Sequence, residues 1–237
     1  MIKPWLRFFR VVNLPTVPGD VLVGAAAVIT ALEGRSVGLW EPAMASLASV
    51  FLYLFGLADN DIVGAKTDCD RPVATGEISL TAARAARALC VFAAIAVGVA
   101  AHLLVYWWVV AFVLLVAMVA YNRTKGSLLM GLCRGLNVIC GGVLWCASSP
   151  WLFVCAGLWT VYIAAVTEYS TGEETDSTKK RRVGLLIGGI VYLQLVALLT
   201  AYLILPCTPT RHLVLAGAGL LIVLRLMKRF LPEVSAS

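Results

Sequence analysis

Eight stretches of this sequence stay apolar over lengths close to the thickness of a bilayer: about 14–32, 42–58, 81–101, 104–121, 127–147, 150–168, 183–205 and 212–229. A transmembrane helix needs roughly 17–25 such residues. Lipid offers backbone N–H and C=O groups no partner, so a spanning segment is either a helix or part of a closed barrel. These runs are too long and too continuously apolar for the alternating strands of a barrel. The sequence therefore predicts an all-α, polytopic transmembrane bundle of about eight spans, one domain covering 1–237. Composition agrees: 14% of the residues are charged, against about 25% in soluble domains.

The net charge of +6 would suit nucleic acid, but the basic residues flank apolar blocks and no soluble basic domain is left to carry such a function. They read instead as a topology signal. Lys3, Arg7 and Arg10 precede the first span, and Arg123 and Lys125 follow the fourth. Lys179 to Arg182 follow the sixth, and Arg225, Lys228 and Arg229 close the eighth. The alternation places both termini and the two acidic loops on the cytoplasmic side. The seven cysteines are odd in number, form no C-x-x-C pair and lie mostly in apolar blocks. That pattern gives neither a disulfide framework nor a zinc site.

Against this background the carboxylates are conspicuous. "LADNDIVGAKTDCDRPVATGEIS" (57–79) gathers four aspartates and a glutamate between two spans. On a helix continued past the second span, Asp61 and Asp68 would sit two turns apart on one face. Asn60, Asp61 and Asp68 are the oxygen ligands expected to hold Mg²⁺, which keeps several waters and bridges to substrate phosphates. Lys66 and Arg71 stand where a diphosphate would meet them. The second acidic loop carries Glu168, Glu173, Glu174 and Asp176; of these, Glu168, Glu173 and Asp176 are the candidate ligands for a second ion.

Further polar residues lie inside apolar blocks. Tyr121 and Lys125 are four apart, on one helical face, and a lysine suits phosphate. Arg134 and Asn137 stand one turn apart well inside the fifth span, and a charge there by default faces the bundle interior or a wet cavity. Asn13 and Asp20 flank Pro15, Pro18 and Gly19 in the first span, where a helix break would free backbone groups. Asn13, Asp20, Lys66, Arg134 and Asn137 are thus candidate substrate-binding residues. "GLCRGLNVICGG" and "GLLIGG" offer small residues for close helix packing. Trp5, Trp40, Trp107, Trp108 and Trp151 fit an interfacial belt. His102 and His212 fall on the opposite side from the acidic loops.

"NDIVGAKTD…DRPVATGEIS" resembles the first aspartate-rich motif of the UbiA superfamily of intramembrane prenyltransferases, N-D-x-x-D-x-x-x-D followed by R-P-L-x-x-G-x-x-S. Asn60, Asp61 and Asp68 match its first asparagine and its first and last aspartates; Arg71, Pro72, Gly76 and Ser79 match the tail. "YNRTK" resembles the Y-x-x-x-K element through Tyr121 and Lys125. Gly64 replaces the middle aspartate, the second D-x-x-x-D motif has no counterpart at that spacing, and the chain has one span fewer than the usual nine. The resemblance implies a Mg²⁺-dependent transfer of a prenyl group from a prenyl diphosphate to an aromatic or other lipophilic acceptor inside the membrane. Lys125, Arg71 and Tyr121 would act on the departing diphosphate. A prenyl-lipid binder or membrane scaffold, and a small transporter, are the other readings that the residues leave open.

Overall fold

The computed structural model describes residues 2–29, 31–32, 38–68, 70–145, 149–170 and 177–231, apart from the side chains of residues 177 and 180. They form α1 (Ile2–Phe8), α2 (Thr16–Ile29), α3 (Trp40–Val63), α4 (Leu80–Ala100), α5 (Val105–Thr124), α6 (Ser127–Gly142), α7 (Pro150–Ser170), α8 (Ser177–Ile204) and α9 (Thr208–Phe230). No strand occurs among the described residues. Seven segments, from Val11–Ile29 through Arg181–Ile204, are long and apolar enough to cross a membrane, and the chain is an integral multi-pass membrane protein. The eighth expected span forms α9. It is 23 residues long, but Arg211, His212, Arg225, Lys228 and Arg229 lower its hydropathy.

α2 is the axis of the bundle. Of its 14 residues only Pro18 is not buried, and α3, α6, α7, α8 and α9 pack round it. A helix apolar on all sides is stable only when surrounded in this way. α4, α5 and α7 are peripheral and present Leu89, Phe92, Phe112, Trp151 and Phe153 outward, as a lipid-facing surface should.

Missing side chains set the closest contacts. A Cβ on Gly24 of α2 would fall 1.8 Å from the Val138 carbonyl oxygen, and one on Gly141 of α6 would fall 1.9 Å from that of Val21. The α2 and α6 backbones therefore touch reciprocally. Gly131 and Gly135, one turn apart on α6, do the same against Thr160 and Ala156 of α7. "GLCRGLNVICGG" thus serves as a small-residue interface on two sides. "GLLIGG" does not. Gly184 faces open space, Gly188 faces the Lys228 ammonium of α9 and Gly189 the Tyr162 hydroxyl of α7, so α8 meets these neighbours through side-chain heads there.

The tryptophan belt is also only partly realised. Trp40 and Trp151 are exposed, but Trp107 is buried in the core with Ala94, Ala111 and Leu114. The tight α4–α5 turn draws it inward, and His102 takes a left-handed backbone in that turn. At the opposite end, α1 lies against the connection after α3. Phe8 packs among Ala58, Val73, Ile78 and Ala83. The chain then reverses into α2 through Arg10, whose φ of 41° is left-handed.

Candidate active site

The acidic connection is built by backbone constraints that its sequence explains. α3 ends at Val63 and tightens into a single 3₁₀ turn over Gly64–Lys66. The Asp68 N–H donates to the Gly64 carbonyl at 2.9 Å, and its carboxylate folds over Gly64, where a Cβ would lie 2.2 Å from Oδ2. The glycine in place of an aspartate is what admits this fold-back. Asp61 and Asp68 then converge on one cation: Arg71 Nη1 is 3.2 Å from Asp61 Oδ1, and Arg71 Nε is 2.9 Å from Asp68 Oδ2. Helix periodicity had placed both acids on one face; the tighter turn instead joins them through Arg71.

The residues after Arg71 are structural. The Ile78 N–H donates to the Pro72 carbonyl at 3.0 Å. Gly76 takes φ +76°, which glycine adopts without steric cost. Ser79 caps α4, its Oγ accepting from Ala82 N–H at 3.2 Å, a normal use of serine. Arg7 of α1 fixes the loop from outside through the Asp70 carbonyl, at 2.8 Å, and Glu77, at 3.0 Å.

Lys125 closes the cluster from α5. It is the left-handed C-cap of that helix, with φ 56°. Its ammonium donates to Asn60 Oδ1 and sits 5.8 Å from the Tyr121 ring centroid. Burial, and after it the neighbouring Arg71 charge, hold its pKa below the ordinary lysine value of 10.5. Arg10 lies within electrostatic reach of Asp61, Tyr121 and Lys125, and no hydrogen-bond or ion-pair partner holds its guanidinium among the described residues. Three cations therefore surround two carboxylates at one end of the bundle.

A cavity, partly open to the outside, adjoins this cluster. Arg10, Asn60 and Tyr121 form its polar edge, while Val17, Leu57, Met118, Met130 and Cys133 form apolar wall. It reaches inward to Ser49 and Asn137, eleven residues along α3 from Asn60, or about 16 Å.

The membrane-embedded polar residues form a second, fully buried assembly. Asp20 Oδ2 is 2.9 Å from Arg134 Nε and accepts from Asn137 Nδ2 at 3.1 Å. Asp20 Oδ1 accepts from Arg134 Nη2 at 3.1 Å, Trp159 Nε1 at 2.9 Å and Gln194 Nε2 at 2.7 Å. One carboxylate thus ties α2 to α6, α7 and α8. Asp20 has 0% exposure and does not line the cavity; it holds Arg134 and Asn137, which do line it. Asn137 also accepts from Ser49 Oγ.

The remaining expected residues are more dispersed. Asn13 is half-buried before α2, its carbonyl accepting from Thr16 Oγ1 at 2.8 Å; it does not line the cavity. Lys66 is exposed beside the acid cluster, and Glu168 is exposed near the end of α7. Glu173 and Asp176 lie outside the described residues. No three His, Cys, Asp or Glu side chains converge as a metal-ligand set among the described residues. The expectation that Asn60, Asp61, Asp68 and Glu168 supply ligands is therefore not met by a preformed cage: Arg71 occupies the space between Asp61 and Asp68, and Lys125 takes Asn60 Oδ1.

The donor chemistry still fits Mg²⁺ of one kind. Asp61 Oδ2 is buried and has no hydrogen-bond partner, leaving an acceptor for which only a cation or ordered water compensates. Mg²⁺ is usually held by one or two carboxylates with water and substrate phosphates completing the shell. Asp61 and Asp68 meet that requirement without a three-acid cluster.

Four contributors are not singled out by sequence reasoning. Arg10 counts only as a topology marker there. Asp59 pairs with Arg87 at 2.7 Å and accepts from Asn122 at 3.0 Å, locking α3 to α4 and α5. Gln194 was legible as a lone amide in "YLQLVALL"; Trp159 carried no signal.

Taken together, a transmembrane helical bundle with a charged cluster over an apolar cavity defines the class. No family model matches this sequence, and no curated protein sequence matches it. Solved structures do match. A structure of digeranylgeranylglyceryl phosphate synthase superposes with a TM-score of 0.59 at 14% identity, covering 99% of this chain and 97% of that one. A UbiA homologue from Archaeoglobus fulgidus gives 0.57 at 15% identity, over 99% and 90% of the two chains. The same homologue bound to GPP and Mg²⁺ gives 0.59 at 14% identity, over 95% and 87%. The chain has the UbiA-like intramembrane prenyltransferase fold.

Proposed function

We propose that this protein transfers a prenyl group from a prenyl diphosphate to a lipophilic acceptor inside the membrane, with the charged cluster and both termini on the cytoplasmic face. One observation carries the reading. Asp61, Asp68, Arg71 and Lys125 cluster beside a cavity whose polar edge is Arg10, Asn60 and Tyr121, in a fold shared with a homologue bound to GPP and Mg²⁺.

The diphosphate would sit at Arg10, Lys125 and Arg71, whose charges offset its own. Tyr121, flanked by these cations, would orient it. Mg²⁺ held by Asp61 and Asp68 would supply further charge stabilisation to the leaving group. Arg71, which bridges the two carboxylates, would turn to the diphosphate as they engage the ion. Cleavage of the allylic C–O bond leaves the bonding pair on the diphosphate oxygen and a carbocation on the prenyl carbon. The wall of Val17, Leu57, Met118 and Met130 keeps water from that cation, and the acceptor attacks it and releases a proton. Charge stabilisation at fixed groups is a major catalytic contribution. Glu168, Glu173 and Asp176 would hold a second ion; Lys66 would guide the diphosphate inward.

The test incubates purified protein with Mg²⁺, prenyl diphosphates of several lengths and aromatic and alcohol acceptors, and detects products by mass spectrometry. Prenylated acceptor and free diphosphate are expected, both lost with EDTA. Saturable binding of prenyl diphosphate without turnover would establish the prenyl-lipid binder instead, a reading that the charge-neutralising Arg71 bridge favours.

A further inference from the structure

The far edge of the bundle carries cations that the catalytic reading does not use. Arg225 and Lys228 lie three residues apart on α9, on neighbouring turns, where like charges repel. Both reach the same groove against α8. Arg225 Nη2 is 2.7 Å from the Tyr192 hydroxyl and its guanidinium lies 5.7 Å from that ring. The Lys228 ammonium lies over Gly188, 2.8 Å from where a Cβ would be. Gly188 and Tyr192 are one turn apart on α8, so the glycine makes room for one cation and the tyrosine holds the other. Neither cation has a carboxylate partner among the described residues. Arg225 sits five residues short of the end of α9, about 7.5 Å along its axis. On these two helices Leu185, Ile222 and Leu226 are exposed, at 67%, 59% and 48%.

Two adjacent cations beside exposed aliphatic side chains suit an anion that itself carries aliphatic chains. We propose that the α8–α9 groove binds the phosphate of an anionic phospholipid. Arg225 and Lys228 contact the phosphate, and the acyl chains run over Leu185, Ile222 and Leu226. A free phosphate lacks the apolar part that this surface matches. Tyr192 positions Arg225 by accepting its hydrogen bond, and the headgroup phosphate takes the remaining guanidinium donors.

Native mass spectrometry and thermal unfolding of the full chain in detergent test this, with phosphatidylglycerol, phosphatidylcholine or inorganic phosphate added. The wild-type protein should retain phosphatidylglycerol and be stabilised by it, and not by the other two. Arg225→Gln with Lys228→Gln should weaken that binding by about 30-fold, at about 1 kcal/mol per basic residue near the surface. Arg123→Gln, at the end of α5, should leave it unchanged. Equal retention of phosphatidylglycerol by the double variant, equal stabilisation by phosphatidylcholine, or stabilisation by inorganic phosphate alone would overturn the proposal. Binding is read directly, so the outcome is independent of prenyl transfer.

Discussion

Replacing Asp20 with Asn probes the buried assembly that positions Arg134 and Asn137 at the cavity. The substitution keeps the shape and removes the charge. Each orientation of the new amide puts an NH₂ group against existing donors. The milder one replaces Oδ2 and faces Arg134 Nε and Asn137 Nδ2, and the other faces Arg134, Trp159 and Gln194. Neutral hydrogen bonds inside membrane proteins average only about 0.6 kcal/mol, so Asn137 alone accounts for little. Arg134, 8% exposed, loses its counter-charge, and removing one partner of a buried pair costs about 3–5 kcal/mol. The charge therefore dominates, and Asp20→Asn should destabilise the fold by about that amount. Reversible unfolding in mixed detergent–SDS micelles measures it. Arg134→Met added to Asp20→Asn removes the stranded charge and should recover part of the loss. A single-variant cost below about 1 kcal/mol, or a second substitution that adds its full cost to the first, would refute the reasoning.

Asp61→Asn and Asp68→Asn should each lower prenyl transfer at least about 100-fold, because a metal-held leaving group contributes several kcal/mol; mass-spectrometric turnover with circular dichroism of the folded variants checks this. Lys125 should make the activity fall on the alkaline side below pH 10.5. Its folded-state pKa is depressed, so the ammonium that binds diphosphate is lost earlier than for an ordinary lysine. Between the folded value and 10.5 the unfolded chain binds more protons, so stability contributed by this group rises with pH while activity falls. A pH–rate profile of Lys125→Arg should move the limb upward. Gly24→Ala forces a Cβ against the Val138 carbonyl and should cost roughly 1–3 kcal/mol or more. Gly184→Ala meets open space and should be neutral or stabilising by up to about 1 kcal/mol. Thermal unfolding of the pair separates steric contact from helix propensity.

The sequence alone determined the architecture, because hydropathy over bilayer-length blocks is a local property and lipid permits few backbone solutions. It also located Asn60, Asp61, Asp68, Arg71, Tyr121 and Lys125, since charge gathered at the edge of an apolar chain is visible without coordinates. Only the tertiary structure decided how those residues pair. Arg71 bridges the two aspartates because a glycine lets Asp68 fold back. Asp20 serves the bundle because four donors from α6, α7 and α8 reach it at once. Arg10 becomes part of the cavity because a left-handed turn reverses the chain there. Whether a buried polar group works for the fold or for chemistry depends on how many of its bonds are already made. Those partners lie up to 174 residues away in sequence, beyond the reach of any local pattern.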